Sequence, residues 1–213
     1  MAKRIFITAT NTDIGKTHVT TALLRYYADL GHKVGVIKPI ETGVVDTPID
    51  GSGLLELLKE LNPQMQFITI DDVVPIQFRL PAAPYCANDA KPIDLTPIEV
   101  AIAKIEPLCD ILLIEGAGGL YVPIDQEMMI IDLIERYKAK ALLVSHCRLG
   151  CINDTILSIK ALKEREYNFV WTLNCHADDE NFKTVSEPYF LDTYPGFTIF
   201  DRDIAKIAAT LLL

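Results

Sequence analysis

The sequence predicts a doubly wound α/β domain: one mostly parallel sheet with helices on both faces, of the P-loop NTPase-like kind. Three observations carry this. Five short runs are almost continuously apolar, as strands buried on both faces must be. Segments with helical periodicity lie between them. The first run leads directly into Gly15-Lys16-Thr17 at the head of a periodic segment, which is the order strand, loop, helix that a phosphate-binding loop requires.

The strand runs are Arg4 to Thr8, Lys33 to Lys38, Asp110 to Ile114, Ala141 to Ser145 and Phe169 to Leu173. Spacings of i, i+3, i+4 and i+7 mark the helices: Val19, Ala22, Leu23 and Tyr26; Leu54, Leu57, Leu58 and Leu61; Ile98, Ala101, Ile102 and Ile105; Ile204, Ile207, Ala208 and Leu211. Another helix begins within Leu149 to Asn153, with an apolar face of Ile152, Ile156 and Ile159. Two segments break the rhythm. Glu41 to Gly53 reads as a mobile loop, and Pro75 to Pro92 as an extended excursion in which Ile76, Phe78, Leu80 and Tyr85 need burial.

Half of the 213 residues are hydrophobic and 23% are charged, so one globular domain spanning 1–213 is expected. A formal net charge of -9, without a basic run, argues against nucleic acid as partner. No apolar stretch approaches the ~20 residues of a membrane span, and the N-terminus enters a strand at once, so a cytoplasmic protein without a cleaved signal is expected. Cys86, Cys109, Cys147, Cys151 and Cys175 are odd in number, lack zinc-site spacing and read as free thiols. The neighbours His146-Cys147 and Cys175-His176 read as strand-end packing rather than as nucleophile and base.

In the stretch FITATNTDIGKTHVTTALL, residues 6–24, Ala9 stands where a phosphate loop usually has its first glycine. Alanine is the smallest alternative and is tolerated where φ stays negative. Backbone N-H groups of the loop and the helix dipole favour phosphate oxygens, Lys16 neutralises them, and Thr17 offers a hydroxyl to magnesium. Asp13 is unusual there, since an acid repels phosphate unless it turns to another group. KPIETG (38–43) and LLIEGAGGLYVP (112–123) also follow strand ends. Lys38 and Glu115 would then meet the phosphate loop in one cleft, with Glu115 able to ligate magnesium.

The blocks TATNTDIGKT, IKPIETG, IEGAGGLYVPI and SHCRLGCINDTILS, in this order, resemble the dethiobiotin synthetase family. The resemblance implies closure of a cyclic urea on 7,8-diaminononanoate from carbon dioxide, with ATP as co-substrate and magnesium as cofactor. It implies catalytic roles for Thr12, Lys16 and Lys38, and nucleotide contacts from Asp13, Ile14, Gly15, Lys16, Thr17 and His18. Glu115, Gly116, Ala117, Gly118 and Asn174 complete the nucleotide and substrate surface, with Asn174 reading the purine. Thr17, Asp50 and Glu115 match magnesium ligands, with Asp46 a rival for Asp50. Thr42 falls on a substrate position. Gly150, Cys151, Ile152 and Asn153 fall where the family binds the substrate's tail carboxylate across a homodimer.

The late region departs from the family pattern. CHADDENF (175–182) lacks the expected proline-rich turn, and FLDTYPGF (190–197) replaces a GEIP-like segment. Weak discrimination between nucleotide bases is therefore expected, and Tyr189 and Tyr194 compete for a late substrate contact. Two rivals share the core. Partitioning and septum-placement ATPases carry an extra loop lysine where this chain has Thr10, and amidating synthetases need a glutamine-hydrolysing domain for which 213 residues leave no room.

Overall fold

The computed structural model describes residues 2–175 and 179–213. Its central sheet holds five parallel strands in the order β2-β5-β1-β6-β7: β1 Lys3–Ala9, β2 Val34–Ile37, β5 Ile111–Gly119, β6 Lys140–His146 and β7 Phe169–Asn174. Each coincides with a predicted apolar run. Successive strand side chains point to opposite faces, yet all six residues from Ile111 to Gly116 are buried, so both faces of β5 are covered. The chain passes from β1 to the edge strand β2, returns through β5 beside β1, and then crosses to β6 and β7 on the other side. A ligand crevice is expected at the carboxyl end of β1, where that switch occurs.

Helix α1 (Lys16–Asp29) returns from β1, burying Val19, Leu23, Leu24 and Tyr27; Ala22 and Tyr26 flank this stripe. Helix α2 (Ile49–Leu61) buries Leu54, Leu57 and Leu58, and α5 (Thr96–Ile105) buries all four predicted positions. Helix α7 (Cys151–Glu164) turns Cys151, Thr155, Ile159 and Leu162 inward, leaving Ile152 and Ile156 half-buried, so its packed face is rotated from the expected one. Helix α10 (Phe200–Leu212) buries Ile207, Ala208 and Leu211 and is joined to α1 by a hydrogen bond from the Tyr27 hydroxyl to the Ala208 carbonyl, 3.0 Å.

The two irregular segments are more ordered than their composition suggests. Strand β3 (Ile40–Thr42) pairs in parallel with β4 (Ile76–Phe78), forming a small second sheet, and α2 already begins at Ile49. The expected loop from Glu41 to Gly53 thus shrinks to residues 43–48, because the carboxylate of Glu41 accepts hydrogen bonds from the start of α2. Within the proline-rich excursion Ile76 is buried and Phe78 and Tyr85 are half-buried, but Leu80 is exposed. The short helices α3 (Ile70–Val73) and α4 (Pro84–Ala87) flank β4.

The cysteines do not all remain free. Cys147 and Cys175 form a disulfide, with 5.1 Å between their Cα atoms. The reason is register: His146 and Asn174 are partners at the ends of β6 and β7, so the residues that follow them face each other. Cys86, Cys109 and Cys151 remain thiols. Helices α8 (Asp179–Val185) and α9 (Glu187–Thr193) pack an aromatic cluster beside the disulfide. Helix α6 (Asp132–Arg136) precedes β6. Among the described residues no helix is long and apolar enough to cross a membrane.

Candidate active site

The carboxyl ends of β1, β2 and β5 open into a cleft of about 700 Å³. Ala9 closes β1 fully buried, paired with Gly119 and Val144, so the loop's missing glycine stands in ordinary strand backbone. The left-handed residues come later. Asp13 has φ 58° and Gly15, which caps α1, has φ 91°. A β-carbon on Gly15 would lie 2.2 Å from Nδ2 of Asn174, so glycine is required both by conformation and by the close approach of β7.

Three charged groups meet beneath this loop. Lys38 follows β2, and its ammonium lies 2.7 Å from Oε1 of Glu115 on β5 and 2.7 Å from Oδ2 of Asp50 on α2. Glu115 has no exposed surface, and both its oxygens are engaged. Thr17 donates to Oε1 at 2.8 Å, and Thr20, one helical turn further along α1, donates to Oε2 at 2.6 Å. Burial alone would push the Lys38 ammonium down. The charges and hydrogen bonds of Glu115 and Asp50 outweigh it and hold Lys38 above its usual value.

Lys16 behaves oppositely. Burial pushes its ammonium down to about 8, against the pull of Glu115, and its Nζ donates to the Asn11 carbonyl at 3.2 Å. An arriving anion would favour its charged form.

The predicted residues fall into three groups. Thr12, Asp13, Gly15, Lys16 and Thr17 line the cleft from one side, Lys38, Thr42 and Asp50 from a second, and Glu115 to Gly118 from a third. Asp46 is exposed and lies outside the lining, whereas Asp50 lies inside it. Ile14 is buried under the loop, and Asn174 donates to its carbonyl at 2.8 Å. The Oδ1 of Asn174 is buried without a partner among the described residues. His18 turns to the surface, 2.9 Å from Asp201 and edge-on to Phe200.

The remaining predicted residues lie elsewhere. Gly150, Cys151, Ile152 and Asn153 form the head of α7, outside the cleft lining of their own chain, with Cys151 fully buried. Tyr189 and Tyr194 stack around Phe190 rather than lining the cleft. His176 lies outside the described residues.

Sequence reasoning missed Thr20, Glu41 and the turn from Pro81 to Pro84, all of which bound the cleft or hold its side chains. Thr20 had a signal, since it stands one helical turn from Thr17. The others had none: Pro81 reaches the site only because β4 pairs with β3, bringing its Cβ to 3.2 Å from where a Gly43 side chain would begin.

A family profile described as AAA domain matches residues 3–189. An ATP-dependent dethiobiotin synthetase from Sulfurovum sp. is 43% identical over 97% of this chain and 99% of its own length. The chain belongs to the dethiobiotin synthetase family. The dethiobiotin synthetase of Wolinella succinogenes is 33% identical over 99% of this chain and 98% of its own. Solved structures add the fold. The MinD cell division protein of Aquifex aeolicus superposes with a TM-score of 0.53 at 20% identity, covering 98% of this chain and 87% of that one. A plasmid partition protein of Borrelia burgdorferi gives 0.55 at 12% identity, covering 100% of this chain and 97% of that one. This chain therefore shares its fold with these two proteins, while sequence assigns it to the dethiobiotin synthetase family.

Proposed function

We propose that this chain is an ATP-dependent cyclo-ligase that closes the urea ring of dethiobiotin on 7,8-diaminononanoate. The observation that carries the reading is that Lys16 and Lys38 face one cleft between a phosphate loop and the glycine-rich end of β5. One substrate amine takes up carbon dioxide and loses a proton, giving a carbamate. The carbamate oxygen attacks the terminal phosphorus of ATP, the bond to the bridging oxygen breaks, and ADP leaves, giving a carbamoyl phosphate. The second amine then attacks the carbamoyl carbon and loses a proton, the C–O bond to phosphate breaks, and inorganic phosphate leaves as the ring closes.

Each charged species has a counterpart in the chain. Lys38 and Lys16 oppose the negative charge of the carbamate and of the transferred phosphoryl group, with Thr12 at the same rim. The loop from Asp13 to His18 wraps the phosphates, its N-H groups supplemented by the α1 dipole. Thr42 and the backbone of Gly116, Ala117 and Gly118 hold the diamine against the phosphate, which substitutes proximity for collision.

Thr17, Asp50 and Glu115 supply one hydroxyl and two carboxylates, the hard oxygen donors that suit magnesium. Lys38 offsets one of these two carboxylate charges, which leaves one negative charge for a cation beside the lysine. Magnesium there would neutralise phosphate charge. The orphaned Oδ1 of Asn174 suits a base that offers an N-H donor, as adenine does.

The head of α7 offers free N-H groups to a carboxylate but sits off the cleft of its own chain. In the homodimer we propose, it serves the substrate tail in the partner's cleft. The substrates are small molecules of the cytoplasm, and neither nucleic acid nor membrane enters the reading.

The test supplies diaminononanoate, bicarbonate, magnesium and ATP and withholds each in turn. Phosphate release is expected to need all four. Release indifferent to the diamine would sink the proposal.

A further inference from the structure

Glu41 stands at the cleft, 8% exposed, with no part in the chemistry above. Both its carboxylate oxygens are committed. Oε1 accepts from the Asp50 N-H at 3.2 Å and Oε2 from the Gly51 N-H at 3.0 Å. These donors belong to the first turn of α2, whose N-cap residue is Pro48, a side chain with no acceptor to offer. First-turn N-H groups have no partner within their own helix, and a carboxylate also suits the positive end of the helix dipole. Here the acceptor comes from β3 instead of from the cap position.

The same side of that first turn is tightly packed as well. A β-carbon on Gly51 would lie 2.1 Å from Cγ2 of Val74 and 3.2 Å from Oε2 of Glu41. The start of α2 is thus bound by a strand carboxylate and packed against a valine. From this position the Asp50 side chain reaches Lys38 at 2.7 Å. Residues 43–48, which lead into α2, are irregular, and the N-cap Pro48 makes no side-chain cap hydrogen bond.

We propose that Glu41 is a positioning residue: by capping α2 from outside, it sets the Asp50 carboxylate opposite Lys38 and Glu115 before any ligand arrives. The inference rests on the proposed part of Asp50 in holding the magnesium nucleotide. It does not depend on which compound is phosphorylated.

Two variants and two readouts test it. In the metal-free, nucleotide-free protein, Glu41→Ala is expected to speed hydrogen exchange of the Asp50 and Gly51 amides about tenfold, the effect of losing a helix cap. Glu41→Gln, which keeps one carbonyl oxygen as acceptor, should fall between Glu41→Ala and the native chain. The magnesium concentration for half-maximal ATP binding, read by calorimetry without the diamine, should rise about fivefold in Glu41→Ala, the weight of one such contact. Unchanged amide exchange in both variants would overturn the proposal, as would faster exchange with unaltered magnesium dependence. If Glu41→Ala does not fold, the same two readouts on Glu41→Gln decide. Diamine-independent phosphate release in the native protein would count against the ring-closing reading while leaving these measurements intact.

Discussion

The ammonium of Lys38 lies 2.7 Å from Oε1 of Glu115, a carboxylate with no exposed surface. Removing one partner of such a pair strands the other. Lys38→Ala should therefore end turnover and also cost about 3 kcal/mol of stability, because the buried Glu115 carboxylate loses its ion-pair partner. Denaturant unfolding and phosphate release on the same preparation check this; native stability in the variant would show that Glu115 finds compensation elsewhere.

Lys16→Ala is expected to behave differently. Its ammonium is held near 8 in the fold, below the 10.5 of an unhindered lysine, first by burial. Between those values the unfolded chain binds more protons than the folded one, so this group's contribution to stability rises as pH climbs from about 8 to 10.5. The variant should lose turnover, be at least as stable at neutral pH, where burial of the ammonium opposes folding, and lack that alkaline rise. Unfolding curves at pH 7 and pH 10 measure the difference.

Asp50 and Asp46 should separate cleanly. Asp50→Ala removes a carboxylate from the cleft and is expected to raise the magnesium requirement about tenfold or more, as loss of a charged ligand does. Asp46→Ala alters an exposed position outside the lining and should leave magnesium titrations unchanged.

Base discrimination should rest on Asn174. Competition between ATP and GTP is expected to show a modest ATP preference, and Asn174→Ala should abolish it and weaken ATP binding about fivefold, one hydrogen bond's worth. A steep preference that survives Asn174→Ala would place base reading in other residues.

Thiol labelling should follow burial. The Cys109 thiol is buried and pushed up to about 12, and burial also raises the Cys151 thiol, whereas Cys86 is exposed. Alkylation of the folded protein at pH 8 should mark Cys86 first, since the thiolate is the reactive form. Peptide mass mapping before and after unfolding reads the order.

The strands and main helices were legible because each announces itself locally. Ile98, Ala101, Ile102 and Ile105 show a helix face within ten residues, and Ile111 to Ile114 show a buried strand within four. Residues at strand ends were legible for the same reason, since Gly15-Lys16-Thr17 heads the helix that follows one apolar run and Glu115 closes another. Residues whose roles come from a distant partner were not. Glu41 looks like any loop acid until β3 is paired, and Cys147 and Cys175 become neighbours only through the register of β6 and β7.

The sequence by itself determined the α/β class, the five strands, the phosphate loop and, through four motifs in order, the family. Tertiary structure decided which side chains meet: Glu115 with Thr17 across 98 positions and with Lys38 across 77, Asp50 rather than Asp46, and Glu41 on the start of α2. The physical reason is range. Hydrophobic periodicity and turn chemistry act over a few residues, whereas the contacts that build the cleft exist only once the strand order has brought the ends of β1, β2 and β5 side by side.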